Sequence, residues 1–126
     1  MNLVAVVLSV LALHGAPFKA TVTAAGHSPV IGAKWAYSVK VVGASGKPIA
    51  ARISIVIVDP IGGLHPVHRY RPGTTLGKAV TNVRIKGVFS DAIVWPPEAR
   101  GYPLVLRVTV SSAGSKRTVR YKVTPR

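Results

Sequence analysis

An alternation of apolar and polar residues on either side of a short turn constrains the fold of this chain most strongly. Large apolar side chains occupy every second position: Trp35, Tyr37, Val39 and Val41 before the turn, and Ala51, Ile53, Ile55 and Ile57 after it. Successive side chains of a β-strand point to opposite faces, so a period of two predicts two strands that each bury one face. Ser45-Gly46 and Pro48 between them predict a tight turn. We therefore interpret Trp35 to Val58 as a β-hairpin, which serves as scaffold because its buried face offers no polar group for chemistry.

Further strands follow from the same pattern. Alternation recurs in Phe18–Ala24, in Leu104–Ser112 and in residues 118–124, and Ala113-Gly114-Ser115-Lys116 predicts a hairpin turn between the last two. Val83–Trp95 holds at least one more strand, which Gly87 interrupts as a bulge or a switch between sheets. With about seven strands and no helices between them, we predict an all-β fold, an immunoglobulin-like antiparallel β-sandwich with Greek-key connections.

The first residues differ from the rest. Met1–Leu13 carries no charge, and its apolar run is shorter than the roughly 20 residues that cross a bilayer. This length is typical of a signal-peptide core, although the usual Lys or Arg before it is missing. We predict a signal peptide or N-terminal anchor over 1–16 and the sandwich domain over 17–126. The alternative is that the run forms a buried first strand or helix of the domain.

A family resemblance lies in the central stretch. The run VKVVGASGKPIAARISIVIVDPIG, residues 39–62, resembles the strand–turn–strand of bacterial Ig-like modules. It is also similar to the YtkA-like and FixH-like group of small exported sandwiches, through the turn Gly46-Lys47-Pro48. The resemblance implies a sandwich fold and an extracytoplasmic location (secreted, periplasmic or cell-surface, with an uncleaved leader as one form of anchor). It implies no reaction. The chain has no Cys, so the disulfide of antibody domains has no counterpart.

The charge is strongly basic. Seventeen Lys and Arg stand against three acidic residues, and the first charged residue is Lys19, so the net charge of +14 belongs to the predicted domain. Such a surface attracts acidic partners. For an exported protein these are lipid head groups, cell-wall polyanions or extracellular nucleic acid, and other exported proteins are further candidates. The alternative is a general basic bias that keeps the domain soluble by self-repulsion.

One group of cations has a predicted place. Arg107, Arg120 and Lys122 lie on the outward faces of the last two strands, and Lys116-Arg117 follows their turn. If these strands pair, the five residues line a strip for anionic partners, with weak, salt-sensitive binding. No exposed aromatic residue alternates with these cations to stack bases, so we expect no sequence-specific nucleic-acid binding.

The His-containing loop supplies an alternative function. His65 and His68, with Asp59 nearby, are donors suited to Cu(II) or Zn, which would make this an extracytoplasmic metal-handling protein. Residues three apart on an extended chain point to opposite sides, and Arg69 and Arg71 would repel a cation. A solvated loop with ordinary histidines is therefore the favoured interpretation, and we predict no cofactor.

Enzyme activity has little support. Asp59, Asp91 and Glu98 are the only acids, and the chain has neither a GxSxG nucleophile elbow nor a phosphate-cradling Gly loop. Trp95-Pro96-Pro97 could form a sugar platform, but a buried Trp95 is favoured. The leading hypothesis is a non-enzymatic exported structural or binding module.

Overall fold

A computed structural model describes residues 18–73 and 76–126, and these residues form eight β-strands and one short 3₁₀ helix. The strands are β1 (Phe18–Ala24), β2 (Lys34–Gly43), β3 (Ala50–Val58), β4 (Leu64–Pro66), β5 (Val83–Lys86), β6 (Val88–Val94), β7 (Leu104–Ser112) and β8 (Ser115–Val123), and the 3₁₀ helix is Pro97–Ala99. The predicted leader, residues 1–16, lies outside the described part of the chain. Within that part, no helix has the length and apolar character needed to cross a bilayer.

The strands form two antiparallel sheets. One has the order β1-β2-β6, and the other has the order β4-β3-β7-β8 with β5 also paired to β3. The order β3-β7-β8 corresponds to strands C, F and G of an immunoglobulin fold. The predicted all-β sandwich is confirmed. The eight strands agree with the predicted number of about seven, and they include the three-residue β4 in the long loop after β3.

The predicted hairpin between Trp35 and Val58 is wrong, although both of its strands exist. β2 pairs with β1 and β6, whereas β3 pairs with β4, β5 and β7, so the two strands belong to different sheets. Only the turn itself is closed, by the Gly43 N–H donating to the Lys47 carbonyl at 2.8 Å. Both strands present a large apolar face, and these two faces bury each other when the strands lie in opposite sheets. If the strands paired side by side in one sheet, other elements would have to cover both apolar faces.

The core lies between the two predicted apolar faces. On β2, Val39 and Val41 have no exposed surface, and Trp35 and Tyr37 are 3% and 2% exposed. The opposite sheet contributes Ile53 of β3, which also has no exposed surface, and the predicted β7 series Leu104, Leu106, Val108 and Val110, all buried. The choice of inward faces from alternation alone is confirmed for these three strands.

Gly87 connects the two sheets. It stands between β5 in the five-stranded sheet and β6 in the three-stranded sheet, with φ +82°. Its N–H donates to the Ile49 carbonyl at 3.0 Å, and its carbonyl accepts the Val41 N–H at 2.7 Å. Of the two predicted roles, the switch between sheets is therefore correct.

The β7–β8 hairpin contains a residue in an unfavourable conformation. Ser112 pairs with Ser115, so Ala113 and Gly114 form a two-residue turn, with φ of +49° and +80°. Positive φ at both central positions is the geometry of a type I′ turn, which favours Asn-Gly. An alanine there costs roughly 1–2 kcal/mol because its Cβ crowds the backbone.

We expect Ala113→Asn to raise the free energy of unfolding by about 1 kcal/mol, since Asn tolerates the left-handed region. Denaturant unfolding measures the change. Ala44→Asn is the matched control, because Ala44 is an exposed turn alanine without a positive φ. An equal gain in both variants would contradict the explanation from backbone strain.

Candidate functional site

The outward surface of the five-stranded sheet carries a set of cations that we call the basic face. Strand alternation places its members opposite the buried series of β3 and β7. The basic face consists of Arg52 on β3, Arg84 and Lys86 on β5, Arg107 on β7, and Lys116, Arg120 and Lys122 on β8.

The register sets cations directly against one another. Arg107 pairs with Arg120 across β7 and β8, and Arg52 pairs with Arg84 across β3 and β5. Like charges at directly opposite positions destabilise a sheet, on the order of 0.2–1 kcal/mol for each pair. The fold therefore keeps an arrangement that costs stability.

Among the described residues, none of these cations forms an ion pair with a carboxylate. Asp59 lies in the turn after β3, Asp91 lies on β6 in the other sheet, and Glu98 lies in the 3₁₀ helix. Over residues 18–73 and 76–126, the single ion pair within 4.0 Å joins Asp59 to His65. The guanidinium of Arg52 has a neutral partner, since its Nη1 donates to the Asn82 carbonyl at 3.2 Å. The basic face is thus left with an uncompensated positive charge.

The structure brings together four of the five predicted strip residues, namely Arg107, Lys116, Arg120 and Lys122. Arg117 is the exception. It pairs with the buried Val110, so it lies on the other side of β8, where its guanidinium is 5.9 Å from the Phe18 ring centroid. The reason is the strand period itself, because neighbouring residues of a strand cannot share a face.

Sequence reasoning missed Arg52, Arg84 and Lys86. The alternation of Arg52 with Ile53 already indicated an outward side chain. Nothing in the sequence showed that β3 would lie beside β7, since the expected hairpin assigned β3 a different neighbour. The basic face is therefore larger than the predicted strip and spans β5, β3, β7 and β8.

The three histidines of the described residues make separate contacts. His65 Nε2 lies 2.8 Å from Asp59 Oδ2, while His68 Nδ1 donates to the Gly77 carbonyl at 2.9 Å. His27 stacks on Tyr121 with ring centroids 4.3 Å apart. The described residues contain no group of three or more His, Cys, Asp or Glu side chains placed to hold a metal ion.

Asp59 organises the turn that leaves β3. Its Oδ1 accepts the N–H groups of Ile61 at 3.0 Å and Gly63 at 2.7 Å, in addition to the contact with His65. The hydrogen bond with His65, followed by the one from Gly63, holds the pKa of the Asp59 carboxyl below its ordinary value. These contacts give Asp59 a structural role in the turn.

The remaining candidates are structural. Trp95 is 2% exposed, so it is a core residue and offers no open platform to a sugar. Asp91 accepts the backbone N–H of Tyr70 at 3.1 Å, which ties the loop between β4 and β5 to β6. Burial, and then the charge of Asp91, raise the pKa of the Tyr37 hydroxyl. That hydroxyl has no hydrogen-bond partner within the described residues.

Comparison with known proteins identifies no family. No protein-family model matches the chain, and no curated protein matches it. Among solved structures, the chain is similar to a DUF4466 family protein from Parabacteroides merdae, with 16% identity and a TM-score of 0.46. The similarity covers 88% of this chain and 44% of that protein, so the chain spans less than half the length of the structure that it resembles.

Proposed function

We propose that this chain is a non-enzymatic exported binding module whose basic face binds extended anionic polymers of the cell surface. The observation that carries the proposal is the direct opposition of Arg107 and Arg120, neither of which forms an ion pair within 4.0 Å in the described part of the chain. A sheet surface selected for stability alone would hold opposite charges at such positions. A negatively charged partner would neutralise the repulsion between the two arginines, and this relief would add to the free energy of binding.

Two further features support this proposal. Three of the four outward positions of β8 are cations, Lys116, Arg120 and Lys122, and the last two lie about 7 Å apart along the extended strand, which presents a row of charges to a linear polymer. Arginine predominates at the directly opposed positions, and its planar guanidinium donates paired hydrogen bonds to phosphate or carboxylate oxygens. Export rests on the hydrophobic pattern of residues 1–16.

The test is retention on a polyanion matrix such as immobilised heparin. We expect Arg107→Glu combined with Arg120→Glu to weaken binding at least about thirty-fold at low salt, since each cation near an anionic surface contributes roughly 1 kcal/mol. The dependence of binding on salt should also become shallower, because fewer counterions are released.

Lys19→Glu combined with Lys40→Glu is the matched control. Both lysines are exposed on the sheet β1-β2-β6, so the net charge changes equally while the basic face stays intact. If both double variants lose retention to the same extent, binding reflects net charge alone and the basic face is not a site. Binding to anionic vesicles without binding to the polymer would likewise overturn the proposal.

The single variant Arg107→Glu separates function from folding. It sets a carboxylate opposite Arg120, so the free energy of unfolding should stay equal or rise by up to about 1 kcal/mol while retention falls. A loss of both retention and stability would show that the arginine acts through the fold.

A further inference from the structure

The last strand, β8, forms an edge of the five-stranded sheet. Within the described residues, β8 pairs with β7 on one side and with no strand on the other. It is nine residues long, whereas strands are usually about five or six residues long. An edge strand offers a row of backbone N–H and C=O groups to which an extended segment of another chain can add. The side chains along the edge then decide which segment fits.

The turn before β8 determines which backbone groups face this edge. Ser112 and Ser115 flank a two-residue turn, so they form a hydrogen-bonded pair, and such pairs alternate along an antiparallel ladder. The backbone groups that point away from β7 belong to Lys116, Thr118, Arg120 and Lys122. The structure agrees at the end of the strand, where the Lys122 carbonyl accepts a hydrogen bond from His27 Nδ1 at 2.6 Å. His27 therefore closes one end of the edge, and no strand of the described chain pairs with it over residues 116–121.

The two faces of β8 differ in chemistry along this edge. Lys116, Arg120 and Lys122 are exposed on the outward face. Val119 and Tyr121 are half-buried on the inward face, at the margin of the core. A strand added beside β8 would place its alternate residues next to each set in turn. Acidic side chains fit beside the cations, and apolar side chains fit beside Val119 and Tyr121.

We propose that the edge of β8 binds an extended peptide segment in which acidic and apolar residues alternate, and that the segment adds to the sheet as a further strand. Backbone hydrogen bonds hold the segment, and opposite charges at facing positions add to the affinity. A second copy of β8 does not fit, because its cations would face identical cations. This mode of binding differs from polymer binding, because it uses the backbone edge of β8, which the basic face does not require.

A synthetic peptide of alternating Glu and Val, blocked at both ends, tests the use of the backbone. Successive N–H groups of an extended peptide point to opposite sides, so N-methylation of all Glu or of all Val residues blocks only one side. In calorimetric titrations of the full chain, we expect one methylated peptide to bind at least about tenfold more weakly than the unmodified peptide, since several hydrogen bonds are lost. The other should bind as the unmodified peptide does. Equal affinities of the two methylated peptides would overturn the proposal.

Thr118→Pro tests the same edge from the side of the protein. Thr118 is exposed and its N–H points away from β7, so proline removes an edge donor without removing a bond to β7. We expect peptide binding to weaken at least about tenfold. Thr118→Val is the matched control, because it keeps the N–H and should bind the peptide as the unaltered chain does. Unchanged peptide binding by Thr118→Pro would contradict the proposal, and the methylated peptides decide the question even if this variant does not fold.

Retention on heparin separates this proposal from polymer binding. Thr118→Pro keeps every cation of the basic face, so its retention should equal that of the unaltered chain while its peptide binding is lost. Loss of both would show that the substitution acts through the fold or that one charged surface serves both ligands, and either result would count against the edge. A failure of polymer binding would appear in heparin retention alone, which does not depend on N-methylation of a peptide.

Discussion

Replacing Trp35 with alanine should lower the free energy of unfolding by about 3–5 kcal/mol, the range for truncating a large aromatic residue in a core. Trp35 lies on β2 of one sheet and reaches the other, where the Tyr121 ring centroid of β8 is 6.0 Å away. It also packs edge-on against Trp95 at 5.5 Å. Alanine would leave a cavity between the sheets and an unpaired Gly26 carbonyl.

Urea or guanidinium unfolding measures this loss. Domains of this size have a total free energy of unfolding of about 5–15 kcal/mol, so Trp35→Ala should unfold at a much lower denaturant concentration than the wild-type protein. Tyr102→Ala is the control for aromatic truncation. Tyr102 is 55% exposed, and its replacement should change stability by less than about 0.5 kcal/mol. Similar losses in both variants would mean that Trp35 does not hold the two sheets together.

A pair of milder variants isolates the hydrogen bond of Trp35. Trp35→Phe removes a donor that is bonded to Gly26, whereas Trp95→Phe removes one without a partner. Both lose the same atoms, so Trp35→Phe should cost more by about 1 kcal/mol. Equal costs would contradict the assigned difference between the two indoles.

The faces of individual strands could be predicted from the sequence, because burial repeats with the strand period. Alternation placed Trp35, Ile53 and Leu106 inward, and all three are buried. Strand partners could not be predicted in the same way. A tight turn after β2 is equally compatible with a hairpin and with a crossing to the opposite sheet, and the difference lies in contacts with distant strands. The prediction of a hairpin was wrong because β2 and β3 pair with distant strands in different sheets.

Only part of the basic face was predicted, because strand partners that are distant in the chain could not be predicted. Arg107 and Arg120 were predicted to share a surface because their strands adjoin along the chain. Arg52 and Arg84 joined them only through the pairing of β3 with β5 and β7, which no local pattern specifies. The missing hydrogen-bond partner of the Trp95 indole N–H was not predicted either, because it is visible only in three dimensions.

Gly87→Ala should also be strongly destabilising, with a loss of about 2–5 kcal/mol. A left-handed conformation costs an alanine roughly 1–2 kcal/mol, and Gly87 has φ +82°. An added Cβ would also lie 2.7 Å from the Pro48 Cβ, which is closer than side chains approach. Crowding of this kind costs about 1–3 kcal/mol. The chain cannot shift freely, because the backbone of Gly87 is bonded to Ile49 and Val41.

Gly46→Ala is the matched control, because Gly46 has the same φ of +82° and nothing within 4 Å of an added Cβ. It should lose only the conformational part, roughly 1–2 kcal/mol. The excess in Gly87→Ala measures the contact with Pro48, and combining it with Pro48→Gly should recover that excess as a favourable coupling energy. Equal losses at both glycines would show that the crossing between sheets has room for a side chain. In that case only the backbone conformation would require glycine at position 87.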